Sequence, residues 1–524
     1  MNKETIRDCS ALALLTIILV TMLYPGMQAT DDLGYALKAS AILKNGFALP
    51  GTSHQIGRIG TYIPLALSFK LFGISQFSLA LIPVLCSTLT TIFIYFIARK
   101  LYGAATARLS ALLFAFFPLT LFLGSFFVPE PMLCAFTSGA ALLFLKSERG
   151  GARYCNLQKY ATGTLVGLGY LTTEASAVML VVLFIYKLLR RRLSLSDLLF
   201  PVGFITVVCG ELLYHKGVYG HFFYRFTHLG GTYTSDPMLV GANAELAYRL
   251  LKSYLSFFIY PQNGLGLYGY LLLLGVAGSL LLFRKNVFLF VWAFSFLAFY
   301  NFMSVSIHHY IVLPPALRLI YPACIPMIIL TAELIRVMSA AGGGIKTKAA
   351  LATLVAAVVT ISTVLVYLNR NSGFTAKIGR SAEAVAGFIK SDRPESVVSD
   401  ERTLQALSFY LGFSDSLRLI TFKEYAALPA TAQPANGKRK IVINGLIFGI
   451  PPGEGGFFPY DKVTKAIMDQ LISEAKNVEY YQKFTIDGAQ GSLLSNELVR
   501  LLYGQGRYAE MLLRNRDAWV KVLR

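Results

Sequence analysis

Carboxylates are scarce in the first 369 residues of this chain, which hold twelve Asp and Glu against 27 Lys and Arg. Four of them, Asp31, Asp32, Glu130 and Glu174, lie at the ends of apolar runs. An ionised group at such a depth is costly unless it is paired or faces water, so each is a candidate for chemistry. Asp31 and Asp32 follow Thr30 and open a helical pattern that runs from Leu33 to Lys44 and exits at Asn45-Gly46. A helix N-terminus favours negative charge, and Thr30 or Asp31 has the right type to cap it. Capping is therefore the plain alternative to catalysis. Leu33, Leu37 and Ala41 share one face, which suits a helix lying along a membrane surface. Glu130 is flanked by prolines in Val128-Pro-Glu-Pro-Met132, whose fixed backbone holds the carboxylate at the outer surface. Glu174, in Tyr170-Leu-Thr-Thr-Glu174, occupies the next outer turn. Both also read as solvated turn residues.

Cations complete the inventory. Arg318, in Leu317-Arg-Leu-Ile-Tyr-Pro322, heads an apolar run and has the geometry to grip a phosphate bidentately. A snorkelling flank arginine is the alternative. His54, His215, His221, His228, His308 and His309 all fall on the outer side. A metal site needs three or four converging ligands, and none of these spacings is diagnostic of one. Between His215 and Tyr233, the residues Tyr219, Phe222, Phe223, Tyr224 and Phe226 form a dense aromatic set. It reads chiefly as an interfacial belt, with a lipid or sugar platform as the functional alternative.

The elements that position these groups follow from composition. Of 524 residues, 55% are hydrophobic and 15% charged, with a mean hydropathy of +0.56. Soluble chains carry about 25% charged residues, so this is a polytopic α-helical membrane protein, and disorder, collagen, coiled coil and nucleic-acid binding are excluded. The net charge of +20 reads as loops meeting an anionic membrane surface. Apolar runs of about 20 residues suit spanning helices. They lie near 9–25, 76–98, 107–125, 131–146, 158–173, 175–189, 197–214, 267–283, 287–304, 319–337 and 349–368, about eleven in all. The Lys/Arg placement puts the N-terminus in the cytoplasm. A first outer loop (26–75) and a large outer loop (215–266) follow, with an extracytoplasmic domain over 370–524. Lys3, Arg7 and the Met27-Gln28-Ala29 stretch also resemble a cleaved signal peptide, but the small-x-small match is poor.

Residues 370–524 have a soluble domain's composition and alternate between strands and helices. Strands are expected at 396–400, 417–422, 440–444 and 478–481, and helices at 380–391, 402–412 and 461–476. A terminal helical hairpin, near 491–503 and 507–522, closes this small α/β domain. The six cysteines all lie in or beside the apolar runs, so the domain has no disulfide framework.

The chain resembles the GT-C superfamily of glycosyltransferases, in the branch with protein mannosyltransferases, lipid A aminoarabinose transferases and rhizobial lipopolysaccharide galacturonosyltransferases. Asp31-Asp-Leu-Gly-Tyr35, Ala41-Ile-Leu-Lys-Asn-Gly46 and Pro50 are similar to that branch's first outer loop. Pro64–Gly73 and Tyr95–Gly103 are similar to its next helices, and Glu130 occupies the place of its second acidic residue. Arg318-Leu-Ile-Tyr-Pro-Ala323 resembles its Arg-Tyr-Leu-Leu-Pro segment, and Val398-Ser-Asp and Leu407-Ser-Phe-Tyr410 resemble its exported domain. Three departures stand out. Asp32 replaces the usual Glu, Gly57-Arg-Ile-Gly-Thr61 stands where a Pro-Pro pair is common, and Glu174 stands where many relatives carry Lys.

The resemblance implies an inverting transferase of a bacterial inner membrane, moving a sugar from a polyprenyl-phosphate donor to a lipopolysaccharide, other glycan or protein acceptor outside the cytoplasm. It implies Asp31 as general base, with Asp32 and Glu130 orienting acceptor or base. Arg318, Arg58 and Tyr321 would hold the phosphate end of the donor, and Tyr35, Glu174 and His54 would position donor or acceptor. Some relatives use a divalent metal and others do not, which leaves a metal cofactor open. A transporter or flippase is the rival from another class, but neither internal repeats nor midplane charges are visible beyond Glu211. An oligosaccharide ligase or polymerase, relying on 215–266, is the nearest enzymatic rival.

Overall fold

The computed structural model describes residues 3–47, 49, 54–148, 152–227, 254–259, 265–280, 283–304, 315–341, 344–372, 374–414, 416–428, 440–443, 480–486 and 516–523. The membrane part begins with α1 (Lys3–Met22), α2 (Asp31–Asn45), α3 (Ile59–Phe72), α4 (Gln76–Tyr102), α5 (Ala104–Ala115) and α6 (Pro118–Leu123). It continues with α7 (Pro129–Ser147), α8 (Ala152–Tyr170), α9 (Val178–Leu189) and α10 (Leu199–Tyr219). After the helical turn Ser256–Ile259 come α11 (Leu267–Leu280), α12 (Phe283–Phe302), α13 (Tyr321–Ala341) and α14 (Ile345–Ser372).

Among the described residues, five helices are long and apolar enough to cross a membrane: Lys3–Met22, Gln76–Tyr102, Leu195–Tyr219, Lys285–Phe302 and Leu317–Ala341. Four shorter apolar stretches, Ile59–Phe72, Ala104–Ala115, Leu267–Leu280 and Lys348–Val364, fall below that length. The chain is a polytopic helical membrane protein, but among the described residues the expected count of about eleven spans is corrected to these five. Apolar runs do not guarantee unbroken helices. The run 107–125 divides because Phe117, ahead of Pro118, adopts an extended backbone, which a following proline favours. The run 175–189 opens as a 3-10 turn, Glu174–Ala177, leaving twelve residues for α9.

The chain divides into two compact units: one of Met1–Tyr24, Ala41–Ser68 and Ala80–Tyr367, the other of Pro25–Ser40, Phe69–Leu79 and Leu368–Arg524. In the first, a core of large rings joins the helices. Phe144 contacts Phe200, Phe288 and Tyr186, and Phe114 stacks on Tyr321 at 5.8 Å. Between membrane helices such rings hold by close van der Waals packing rather than by removal from water.

The second unit carries α15 (Phe374–Asp392), α16 (Glu401–Tyr410) and α17 (Phe422–Ala427) with a five-stranded sheet. Its strands are β1 (Ser396–Ser399), β2 (Arg418–Thr421), β3 (Lys440–Ile443), β4 (Tyr480–Ile486) and β5 (Arg516–Leu523), in the order β2-β1-β3-β5-β4. β1 runs parallel to β2 and β3, whereas β5 runs antiparallel to β3 and β4. Asp400 caps α16, its carboxylate accepting the Thr403 amide at 2.9 Å, and Thr421 and Glu424 form a capping box on α17.

This is the small α/β domain expected from the alternation, with one correction. The second helix of the proposed terminal hairpin, 507–522, is over its described part the strand β5. Ala518, Val520 and Val522 alternate with Asp517, Trp519 and Lys521, and this period-two pattern with β-branched valines outweighs the helical reading. The expected helices at 461–476 and 491–503 lie outside the described residues.

Candidate active site

Asp31 and Asp32 are adjacent in sequence and opposite in circumstance. Asp32 is fully buried, and its carboxylate accepts the amides of Gln28 at 2.6 Å, Thr30 at 2.8 Å and Leu33 at 2.9 Å. The Leu33 amide belongs to the first turn of α2, and the other two bonds fold the preceding turn back onto the helix. Burial pushes its carboxyl up to about 6, with the three amides pulling the other way. The turn is bent tightly: Gly26 has φ 79° and Ala29, with a side chain, has φ 56°. A non-glycine residue there costs of order 1–2 kcal/mol, so the surroundings must hold it. Asp31 is the half-exposed member of the pair. Lys38 lies two helical turns on, its amine drawn down to about 8 by burial with Asp31 opposing that shift. Tyr35 is fully buried on α2.

In the other unit, the structure brings Glu130 and Arg318 together. Pro129 opens α7 and sets Glu130 in its first turn, and the 3-10 turn Leu317–Ile320 ahead of α13 carries Arg318. Arg318 Nε lies 3.3 Å from Glu130 Oε1, with the Arg318 side chain 39% exposed and that of Glu130 6%. Glu130 Oε2 is buried with no hydrogen-bond partner among the described residues. A buried carboxylate oxygen without a partner is expensive, so this pair is poised for a further donor. Tyr300, buried near the end of α12, interacts electrostatically with both Glu130 and Arg58.

Arg58 and Glu174 belong to a denser network that sequence reasoning did not foresee. Its centre is Arg225, 2% exposed. Arg225 donates to Glu174 at 2.7 Å, to Glu211 at 2.7 Å and to the Tyr170 carbonyl at 2.9 Å, and its guanidinium lies 4.4 Å from the centre of the Tyr170 ring. Arg58 reaches the other Glu174 oxygen at 3.4 Å. Burial alone would raise the Glu174 pKa, but Arg225 and Arg58 outweigh it and hold it at about 2. Two glycines admit close approaches here, Gly57 that of Arg225 and Gly60 that of the Leu171 backbone. A Cβ at Gly57 would stand 2.5 Å from Arg225 Cγ, and one at Gly60 2.8 Å from the Leu171 backbone. Arg225 sits within an aromatic cluster, which hid it from a search for isolated charges.

That aromatic set divides. Tyr219 and Tyr224 stack at 3.8 Å and, with Tyr214, enclose the buried His215, whose Nε2 is 3.7 Å from Glu211. Phe222, Phe223 and Phe226 are exposed, as a belt requires. Tyr321, expected beside the phosphate, is fully buried and donates its hydroxyl to Thr120 at 2.9 Å. Arg58, expected there too, is engaged by Glu174. The backbone of His54 opens a 3-10 turn, and its side chain lies outside the described residues, as do His228, His308 and His309. Among the described residues no three His, Cys, Asp or Glu side chains converge on a point.

Residues 60–215 match a protein-family model described as dolichyl-phosphate-mannose-protein mannosyltransferase. An uncharacterized protein of Aquifex aeolicus (strain VF5) is 30% identical over 270 residues, which is 49% of this chain and 56% of that one. The chain therefore matches little more than half the length of that relative. The fold is similar to that of ArnT from Cupriavidus metallidurans bound to undecaprenyl phosphate, with a TM-score of 0.57 at 15% identity over 100% of this chain and 98% of that one. The apo state of ArnT gives 0.55 at 12% identity, covering 98% and 97%. An oligosaccharyltransferase of Archaeoglobus fulgidus, tethered to an acceptor peptide, gives 0.51 at 12% identity over 97% of this chain and 72% of that one. At such identities the likeness is one of fold alone.

Proposed function

We propose that this chain is a membrane glycosyltransferase that moves a sugar from a polyprenyl-phosphate carrier to an acceptor on the extracytoplasmic face of a bacterial inner membrane. The observation that carries this reading is the Glu130–Arg318 pair: a guanidinium partly open to solvent beside a buried carboxylate with one oxygen unmatched. In the reaction, Asp31 takes the proton of the acceptor hydroxyl, and the hydroxyl oxygen bonds to the anomeric carbon. The bond from that carbon to the phosphate oxygen breaks, and its electron pair leaves on the phosphate, where Arg318 neutralises the charge. Preorganised charge of this kind is worth about 10²–10³ in rate. Glu130 orients the guanidinium and stabilises positive charge as it develops at the sugar, as carboxylates do in glycoside hydrolysis.

Two comparisons support this reading: the fold similarity to a protein holding undecaprenyl phosphate, and the mannosyltransferase family match over 60–215. Arg318 is preferred over Arg58 and Tyr321 as the phosphate grip because its side chain is 39% exposed, against 14% for Arg58 and none for Tyr321. The test replaces Asp31 with Asn in the native host and reads lipid-linked sugars and surface glycans by mass spectrometry. Accumulated carrier-linked sugar with one glycan residue missing is the expected result. Unchanged profiles in a stably expressed variant would overturn the assignment.

A further inference from the structure

Pro25–Ser40, which carries Asp31, is part of the compact unit that contains the C-terminal α/β domain. Within that unit the Asp31 turn is gripped twice. From inside, Asp32 ties down the amides of Gln28, Thr30 and Leu33. From the C-terminal domain, α15 approaches at Gly379, where a Cβ would stand 1.7 Å from the Met27 carbonyl oxygen and 3.0 Å from its carbon. Only a residue without a side chain allows that approach. Close by, Phe409 of α16 contacts Phe69 with ring centres 6.5 Å apart, and Tyr410 interacts electrostatically with Asp32. The turn between these grips has the unfavourable Ala29 backbone, a conformation that persists only where its surroundings impose it.

We propose that the C-terminal domain acts as a positioning element for the Asp31 carboxylate, with Gly379 and Asp32 as the positioning residues that fix the turn ahead of α2. This rests on the reading of Asp31 as the base. An added methyl at 379 pushes the Met27 carbonyl and, through the clamped turn, Asp31. Displacements of about 1 Å at a reacting group are able to cost about 10²-fold in rate.

The full-length enzyme in detergent or nanodiscs carries the test, with Gly387→Ala as the control. Gly387 lies on the same helix with no atom within 4 Å of its Cβ position. Gly379→Ala is expected to lower kcat by at least about tenfold, leave the KM for the lipid donor unchanged, and speed deuterium exchange of the Gln28–Leu33 amides. Gly387→Ala is expected to match the wild type in all three. Wild-type exchange and kcat in Gly379→Ala would overturn the proposal. Should Gly379→Ala fail to accumulate, Asp32→Asn takes its place with the same expected changes, and wild-type exchange there would overturn it equally. The exchange readout does not depend on the reaction: retained transfer by Asp31→Asn would sink the functional reading alone, whereas an inactive Asp31→Asn beside a normal Gly379→Ala would sink the positioning role alone.

Discussion

Two carboxylate–guanidinium arrangements in the membrane unit use the same chemistry to opposite ends. Around Arg225, two glutamates, a carbonyl and a tyrosine face close on one buried cation, and Arg58 shares Glu174. Arg318 instead presents a side chain that is 39% exposed, 3.3 Å from a carboxylate whose other oxygen is buried with no hydrogen-bond partner among the described residues. A buried ion network resists change because removing any member strands the others. A guanidinium at the edge of solvent is within reach of a substrate. The difference separates scaffold from site among residues of identical type.

The most disruptive way to probe this contrast is Arg225→Met. It strands Glu174 and Glu211 and is expected to cost about 3–5 kcal/mol of stability, read as a fall in thermal unfolding temperature and folded yield. A normally stable but inactive variant would break the contrast by making Arg225 part of the chemistry. Arg318→Gln is expected to behave in the converse way, losing about 10²–10³ in kcat/KM with little change in unfolding temperature. Glu130→Gln sharpens the point. It frees Arg318 for the donor, so kcat should fall by about 10² while the donor KM stays level or drops. A raised KM would argue that Glu130 serves binding rather than turnover.

The smallest effect is one of pH. The folded pKa of Glu174 is depressed to about 2 from an unfolded value of 4.5. Its contribution to stability is therefore complete above about 4.5 and is lost as pH falls through about 2. Glu174→Gln should flatten the stability profile in that window, and an unchanged profile would remove Glu174 from the scaffold.

Much of this was legible from charge scarcity. Asp31, Asp32, Glu130 and Arg318 were visible because each interrupts an apolar run, where ionised groups are rare. What a sequence of charges does not carry is who pairs with whom. Asp32 and Asp31 read alike, yet one spends its oxygens on three amides while the other stays half-exposed. Arg225 was masked by aromatic neighbours, and the Arg58–Glu174 pair joins positions 116 residues apart. Helix number was overcounted because hydropathy does not register a break such as that before Pro118. Strand β5 was missed because its charged residues fit a helical face as well as an alternating one.

The most direct measurement is the affinity of the purified protein for polyprenyl phosphate, titrated for the wild type, Arg318→Gln and Arg58→Gln. The account predicts that Arg318→Gln weakens binding by about tenfold or more, while folded Arg58→Gln binds as the wild type does. Unaltered affinity in Arg318→Gln, or an equal loss in a stable Arg58→Gln, would contradict it.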